Sequence, residues 1–575
     1  MTLKALESAL RNDDYRKALT LILICFAVVL FVGVGLRSPW PADEPRFAEA
    51  AREMVASGHW FFPLRGGELY PDKPPVFMWS IAFFYLLIGN IKVAFMLPNI
   101  LVSLVSVWCV FDLTYRLWNV RTAKWAAFAL LLAPQFILQA KSAQIDAMVA
   151  AWITIAMYGL VRHFFIRRSW CWYLVAWGFM GLGIITKGVG FLPAFLLVPI
   201  LILHFSKRYD FGDAVGWKLW LGPVAMLAVV GCWLLPMVYI ANHSGNPDFI
   251  AYKDDILFRQ TMKRYAHSWT HLQPWYYFLF RFPILWFPLP FFLLNRVFWK
   301  KICDVRGATL LVWIALVLLF FSSTPGKREV YILPALPMLA VVVAPYLARE
   351  TVSNCLIWLI NILLVAISLL VGIVGVLGVM HVHAVVKVVA KQGIEPSVLF
   401  PLLTDLGLML IAGALVALVI LFIFRKSSAL IRMGMVSCWG WIWFSLVGYP
   451  LINPIRTAAV PIMKKAAKHI GPNGQLGLVA FKEQFLLASP VPITQFSYLA
   501  SRTEQLRNAW LWMSERSNRF ILLPAKAGEQ VDCFHLSKGV NLGTGYRNHW
   551  WLLSATALDK SCPRPDEIKR YHMSK

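Results

Sequence analysis

The sequence predicts a mainly α-helical membrane protein with about 13 spanning helices, outer-face interfacial helices and a small C-terminal α/β region. Three observations predict this. Of its 575 residues, 59% are hydrophobic and 15% charged, with a mean hydropathy of +0.63. Apolar runs of about 18 residues or more, the length that crosses a bilayer, recur along the chain. Lys and Arg, which leave a net charge of +26, gather in short segments between those runs, as they do in cytoplasmic loops. That scatter argues against a nucleic-acid partner, which needs a basic patch or stripe. Anionic membrane lipids or a phosphate-bearing lipid suit it better.

Residues 1–17 (MTLKALESALRNDDYRK) are polar, and the apolar run 18–36 reads as an uncleaved anchor. Further spans are expected near 98–115, 123–140, 146–163, 170–186, 189–205, 217–240, 276–294, 307–322, 330–347, 355–378, 400–424 and 434–451. The stretch 76–90 (VFMWSIAFFYLLIGN) is short and aromatic. Counted as interfacial or re-entrant, with the N-terminus in the cytosol, it leaves six inside loops. They are YRLWNVRTAK, RHFFIRRS, SKRYDFGDAVGWK, FWKKICDVRG, LARE and FRKSSALIR. All but the balanced LARE carry excess Lys and Arg, whereas a spanning 76–90 puts them all outside.

This topology divides the chain into a membrane region, 1–452, and an outer tail, 453–575, with 37–97 as a long outer loop. The tail alternates β-like runs (LGLVAF, RFILLP, HWWLLSA) with a helix-like segment (RTEQLRNAWLWMSERSN), a small α/β pattern of ordinary domain size. Seven of nine cysteines lie in or beside apolar runs without metal-ligand spacing and read as small core residues. Cys533 and Cys562 share the polar tail, where an outside location permits a disulfide and equally permits two free thiols.

Ionisable residues crowd the outer face. Asp43, Glu44, Arg46, Glu49, Asp72 and Lys73 share the first loop, and Asp146 opens an apolar span. A carboxylate at a membrane-helix entrance is either an N-terminal cap or a functional group. Two on one face can divide the work of general base and positioning group. Lys187 in a Thr-Lys-Gly corner, Arg259 ahead of His267 and His271, and Lys327 and Arg328 before Tyr331 add cations. Each alone reads equally as a snorkelling anchor. Together, on the side away from the cytoplasmic charge, they suit a lipid-linked phosphate. The chain has no P-loop, no GxGxxG before a helix and no HExxH, so ATP-driven pumping and zinc proteolysis lack support.

In order, these residues form a pattern. Asp43-Glu44-x-Arg46-Phe47-Ala48-Glu49 is followed by Arg52-Glu53-Met54, Ser57-Gly58-His59-Trp60 and Asp72-Lys73-Pro74-Pro75. Then come Lys141 to Asp146, Thr186-Lys187-Gly188, and Lys327 with Tyr331-Ile332-Leu333-Pro334. Over roughly residues 20–340 the chain resembles bacterial membrane glycosyltransferases of the GT-C class. These belong to the wider protein-mannosyltransferase-like family, and the likeness is greatest to the undecaprenyl phosphate-aminoarabinose:lipid A transferases. The resemblance implies sugar transfer from an undecaprenyl-phosphate carrier to a periplasmic acceptor at the bacterial inner membrane. It implies Asp43 and Asp146 as catalytic residues. Lys73, Arg46, Lys187, Arg259, Tyr331 and Lys327 would hold carrier phosphate and sugar. Asp72 and Glu44 are the candidate neighbours of a divalent metal. The chain departs from the pattern at Asp72, where Glu is usual, and at Val189, where Pro is usual. Its outer loop carries YKDDILFRQ where aminoarabinose members tend to carry His. The sugar is expected to be 4-amino-4-deoxy-L-arabinose and the acceptor lipid A or a related glycolipid. A protein O-mannosyltransferase-like enzyme with a polypeptide acceptor and a non-catalytic lipid transporter are the alternatives.

Overall fold

The computed structural model describes residues 14–258, 272–302, 304–349, 352–391, 394, 396–526 and 528–573. Among them, eight helices are long and apolar enough to cross a membrane, or nine if one bent pair counts as a single span. The sequence expectation of 13 counted apolar runs, and several of these are broken. The run at 123–140 becomes Val120–Leu132 and Pro134–Ala140, bent by 74°. The run at 276–294 becomes Tyr277–Leu285 and Leu289–Phe292, with Pro288 and Pro290 at the break. Proline removes a helix donor and clashes with the preceding turn, so an apolar run containing it need not form one straight helix.

Among the described residues the first helix, α1 (Tyr15–Phe31), starts at Asp14, whose side chain accepts from the Arg16 and Lys17 amides. It is anchored at that end by a buried cluster. There the Asp112 carboxylate accepts from the Tyr15 hydroxyl at 2.8 Å, the Tyr158 hydroxyl at 2.6 Å and Arg116 Nε at 2.5 Å. A carboxylate among apolar helices is costly unless its oxygens are all engaged. The span Glu329–Ala348 is 94% buried in its apolar window and forms the centre of the bundle. Asn354–Val379 is 17% buried, and with Pro396–Ile423 it stands at the edge. Those two helices touch backbone to backbone. A Cβ on Gly375 would lie 2.7 Å from the Gly407 carbonyl oxygen, so small residues set their approach.

The outer loop begins with α2 (Glu44–Ser57), with Pro45 in its first turn and Gly58 closing it in the left-handed region at φ 74°. A hairpin of β1 (Leu64–Arg65) and β2 (Glu68–Leu69) follows, then α3 (Val76–Ile88). At 13 residues α3 is about 20 Å long, short of the hydrocarbon core. Phe83, Leu86, Leu87 and Ile88 are exposed, while Phe77, Met78 and Ile81 are buried. Glu53 braces the hairpin, accepting from the Gly66 and Gly67 amides at 2.7 and 2.9 Å. Burial and neighbouring Glu49 push its carboxyl well above the ordinary range.

The tail holds a six-stranded sheet in the order β6-β7-β5-β3-β4-β8. These are β3 (Gln475–Leu478), β4 (Ile493–Gln495), β5 (Arg519–Ala525), β6 (Val540–Gly545), β7 (Asn548–Leu553) and β8 (Tyr571–Met573). The pairs β3–β4 and β3–β5 are parallel and the others antiparallel. The three β-like runs seen in the sequence are β3, β5 and β7, and the helix-like segment is Arg502–Ser514. Cys533 and Cys562 are joined in a disulfide.

Hairpin and tail are bound together. Glu68 accepts from the Ser497 hydroxyl at 2.7 Å and the Tyr498 amide at 2.9 Å. Tyr498 donates its hydroxyl to the Leu69 carbonyl at 2.8 Å. Gly66 has φ 68°, and a Cβ there would lie 2.4 Å from the Phe481 ring. Gly66→Ala is therefore expected to cost about 1–3 kcal/mol of docking, from the left-handed backbone and the overpacking together. A lowered melting temperature with earlier proteolysis around residues 58–70 is the expected observation. Parent-like melting and protection would show that the turn yields without cost.

Candidate active site

Asp43 stands at the N-cap of α2, yet its side chain makes no capping bond. Its Oδ2 instead accepts from Nη2 of Arg328 at 3.0 Å, across 285 residues of sequence. Arg328 precedes a short 3₁₀ segment, Glu329–Ala335, that carries Tyr331. The Lys187 ammonium lies over the Tyr331 ring, 4.5 Å from its centroid. The same ammonium is ion-paired with Asp146. Asp43, Arg328, Tyr331, Lys187 and Asp146 thus form one continuous cluster. Burial opposes the Arg328 charge, but Asp43 overrides it, with Asp146 and Tyr331 adding to the effect, so the guanidinium is held above its ordinary pKa.

Local structure explains the placement. Lys187 ends the helix Trp170–Lys187, which Gly188 closes at φ 91°. Asp146 lies in the first turn of the helix Ile145–Val161. The hinge before it is held by Asn99, whose amide donates to the Ser142 and Gln144 carbonyls at 2.6 and 2.8 Å. Lys141 is buried and donates to the Val29, Leu30 and Val32 carbonyls at 2.8, 3.1 and 2.6 Å. It therefore caps the C-terminal end of α1.

Four of the expected site residues, Asp43, Asp146, Lys187 and Tyr331, lie in this cluster. Arg46 lies on α2 and pairs with Glu483 of the tail at 3.3 Å. Asp72 and Lys73 are half-buried in the turn that follows β2. Asp72 acts on Tyr70, whose hydroxyl is pushed up to about 12 by burial first and by that carboxylate second. Arg259, with His267 and His271, lies outside the described residues.

Two expectations change. Lys327 is buried and donates to the Gln273 carbonyl at 3.0 Å and to the Thr324 carbonyl, so it closes a helix end. Its neighbour Arg328 occupies the site instead. Adjacent cations are indistinguishable as loop charges, and only the backbone turn decides which one faces Asp43. Glu44, expected beside a metal, is saturated by protein donors. It is ion-paired with Arg37 and accepts from the Trp40 and Ala143 amides at 2.8 and 2.9 Å. Among the described residues, no group of three or more His, Cys, Asp or Glu side chains is arranged to hold a metal ion. With both oxygens held by Arg37 and two amides, Glu44 does not fit the role of a metal ligand beside Asp72. Glu483 had no signal in the sequence, since nothing local marks a carboxylate that meets its partner 437 residues away.

The arrangement suits one kind of chemistry. Two carboxylates face a surface held by cations, so an anionic group can be gripped while a carboxylate takes a proton or steadies developing positive charge.

A family model for dolichyl-phosphate-mannose-protein mannosyltransferases matches residues 72–235. An undecaprenyl phosphate-alpha-4-amino-4-deoxy-L-arabinose arabinosyl transferase 1 of Pseudomonas fluorescens is 28% identical over 333 residues, 56% of each chain. A transferase 2 of the same species is 30% identical over 344 residues, 57% of this chain and 55% of the relative. The chain therefore spans just over half the length of these curated relatives. The crystal structure of ArnT from Cupriavidus metallidurans bound to undecaprenyl phosphate superposes with a TM-score of 0.69 at 18% identity. That match covers 94% of this chain and 99% of ArnT. The chain thus shares the fold of ArnT and is similar in sequence to the undecaprenyl phosphate-aminoarabinose transferases.

Proposed function

We propose that the chain is an integral-membrane glycosyltransferase that moves a sugar from an undecaprenyl-phosphate carrier to lipid A or a related envelope glycolipid. The sugar is 4-amino-4-deoxy-L-arabinose. The observation that carries the reading is the Asp43–Arg328–Tyr331–Lys187–Asp146 cluster beside the outer loop. The N-terminus is cytoplasmic, and the cluster and the tail, 453–575, are periplasmic. The undecaprenyl-phosphate and aminoarabinose named for the relatives support this choice of donor.

In this reaction the bond between the anomeric carbon and the carrier phosphate oxygen breaks, and its electron pair leaves with the phosphate. An acceptor oxygen forms the new bond to that carbon from the opposite face. Lys73, Arg46, Lys187 and Arg328 offset the charge on the departing phosphate, with Tyr331 holding Lys187 in place. Arg259, outside the described residues, is assigned to the same phosphate by its resemblance to the relatives' pattern alone. Asp43 orients the acceptor and takes its proton where it carries one, and Asp146 assists from the neighbouring helix. An acceptor phosphate needs little deprotonation, so there the carboxylates chiefly steady positive charge at the anomeric carbon.

Mass spectrometry of lipid A from cells expressing the chain, beside its Asp43→Asn variant, tests the reading. An amino-pentose mass added by the parent alone is expected. Unchanged lipid A in both would move the acceptor to another glycolipid or to polypeptide, which the mannosyltransferase match on residues 72–235 favours. Movement of lipid without sugar transfer would make the chain a transporter. Lys73→Ala is expected to raise the donor KM about tenfold, from a lost charge-assisted hydrogen bond, with kcat changed less than about threefold. An unaltered donor KM would remove Lys73 from the phosphate site.

A further inference from the structure

The tail reaches into the loop that carries Asp43. Glu483 opens the short helix Glu483–Ala488, and its side chain is 7% exposed. Its Oε1 accepts from Arg46 Nε at 3.3 Å and is ion-paired with Arg65 Nη2 at 2.6 Å. The two arginines differ in setting. Arg65 belongs to the hairpin–tail contact, stacked 4.3 Å from the Tyr498 ring centroid and 5.2 Å from that of Phe481. Arg46 follows Asp43 by three residues on α2, is 30% exposed, and lies within electrostatic reach of the Asp43 carboxylate. Glu483 engages Arg46 through Nε. The two terminal nitrogens, which grip phosphate as a fork, lie outside that contact, and the buried Tyr70 hydroxyl is a second electrostatic partner of the same guanidinium.

We propose that Glu483 is a positioning residue through which the tail fixes Arg46 beside Asp43 as a phosphate-binding group. This rests on the reading of the cluster as a carrier-phosphate site. Two arginines around one buried carboxylate keep their places because each is attracted to it. Without it, Arg46 and Arg65 repel each other across the same gap, and Arg46 keeps the Tyr70 hydroxyl as a neighbour but loses the carboxylate charge that sets its direction. The tail then contributes to donor binding as well as to bracing the hairpin.

The test is binding of undecaprenyl phosphate to the full chain in detergent micelles, with melting temperature measured alongside. Glu483→Gln is expected to weaken binding about tenfold, the loss of one charge-assisted contact. Arg65→Met is expected to lower the melting temperature while leaving binding within about twofold of the parent. On an Arg46→Gln background, Glu483→Gln should have no further effect on binding, because its route is already cut. Equal weakening by Glu483→Gln and Arg65→Met, or an undiminished Glu483 effect on the Arg46→Gln background, would overturn the proposal. Unchanged binding in Glu483→Gln would do so as well. A parent that binds undecaprenyl phosphate but transfers no sugar would sink the transferase reading, and these comparisons would still decide the role of Glu483. A parent that does not bind it overturns both.

Discussion

Asp43→Asn is expected to lower the turnover of sugar transfer at least about 100-fold, the span ordinarily lost with a general base or charge-stabilising carboxylate. The protein should still accumulate in the membrane and melt as the parent does. The structure separates the two effects. The Asp43 side chain is 19% exposed and that of Arg328 is 35% exposed, so water screens the pair, which contributes about 1 kcal/mol or less to stability. Asn keeps the shape of Asp, and the side chain makes no cap bond whose loss would fray α2. What disappears is the charge, and with it the capacity to accept a proton or to face developing positive charge. Steady-state kinetics on purified protein, with melting curves beside them, checks this. The donor KM should stay within about threefold while kcat falls. An Asn variant that turns over within a few-fold of the parent would mean that the cluster grips substrate but Asp43 performs no chemistry. A variant that fails to accumulate would mean that the Arg328 pairing is structural.

The residues that make this prediction possible were legible in the sequence to an uneven degree. Asp43, Asp146, Lys187 and Tyr331 stood out because charge and phenol at the ends of apolar runs are conspicuous against a composition that is 15% charged. Segment type was legible for the same reason, as was the brevity of α3. The three tail strands and the helix Arg502–Ser514 were visible as alternating apolar runs between turns. Three things were hidden. The number of straight spans depends on how proline-containing runs bend, as the 74° break at Pro134 illustrates. The choice of Arg328 over Lys327 depends on one backbone turn that leaves Lys327 to the Gln273 and Thr324 carbonyls. The third, Glu483, meets Arg46 and Arg65 only because the hairpin docks on the tail.

Glu44, next to Asp43, should give the opposite phenotype. Glu44→Ala is expected to cost about 3–5 kcal/mol of stability and to leave little protein in the membrane. The Arg37 side chain is 3% exposed and Glu44 is its acidic partner. Arg37 also donates to the Lys141 carbonyl at 2.9 Å and stands among the rings of Trp40, Phe95 and Tyr449. Removing the carboxylate strands a buried guanidinium and orphans the Trp40 and Ala143 amides at once. The Ala143 amide belongs to the hinge that leads into Asp146, so the loss propagates toward the Asp43–Asp146 cluster as well as into the core. Replacing both members, Arg37→Met with Glu44→Met, should recover part of the lost stability, because no unpaired charge remains. Expression level and melting temperature of the two single variants and the double variant decide the matter. Single variants as stable as the parent would return Glu44 to the pool of candidate ligands. A double variant no better than the singles would shift the cost from the stranded charge to the amides that Glu44 receives.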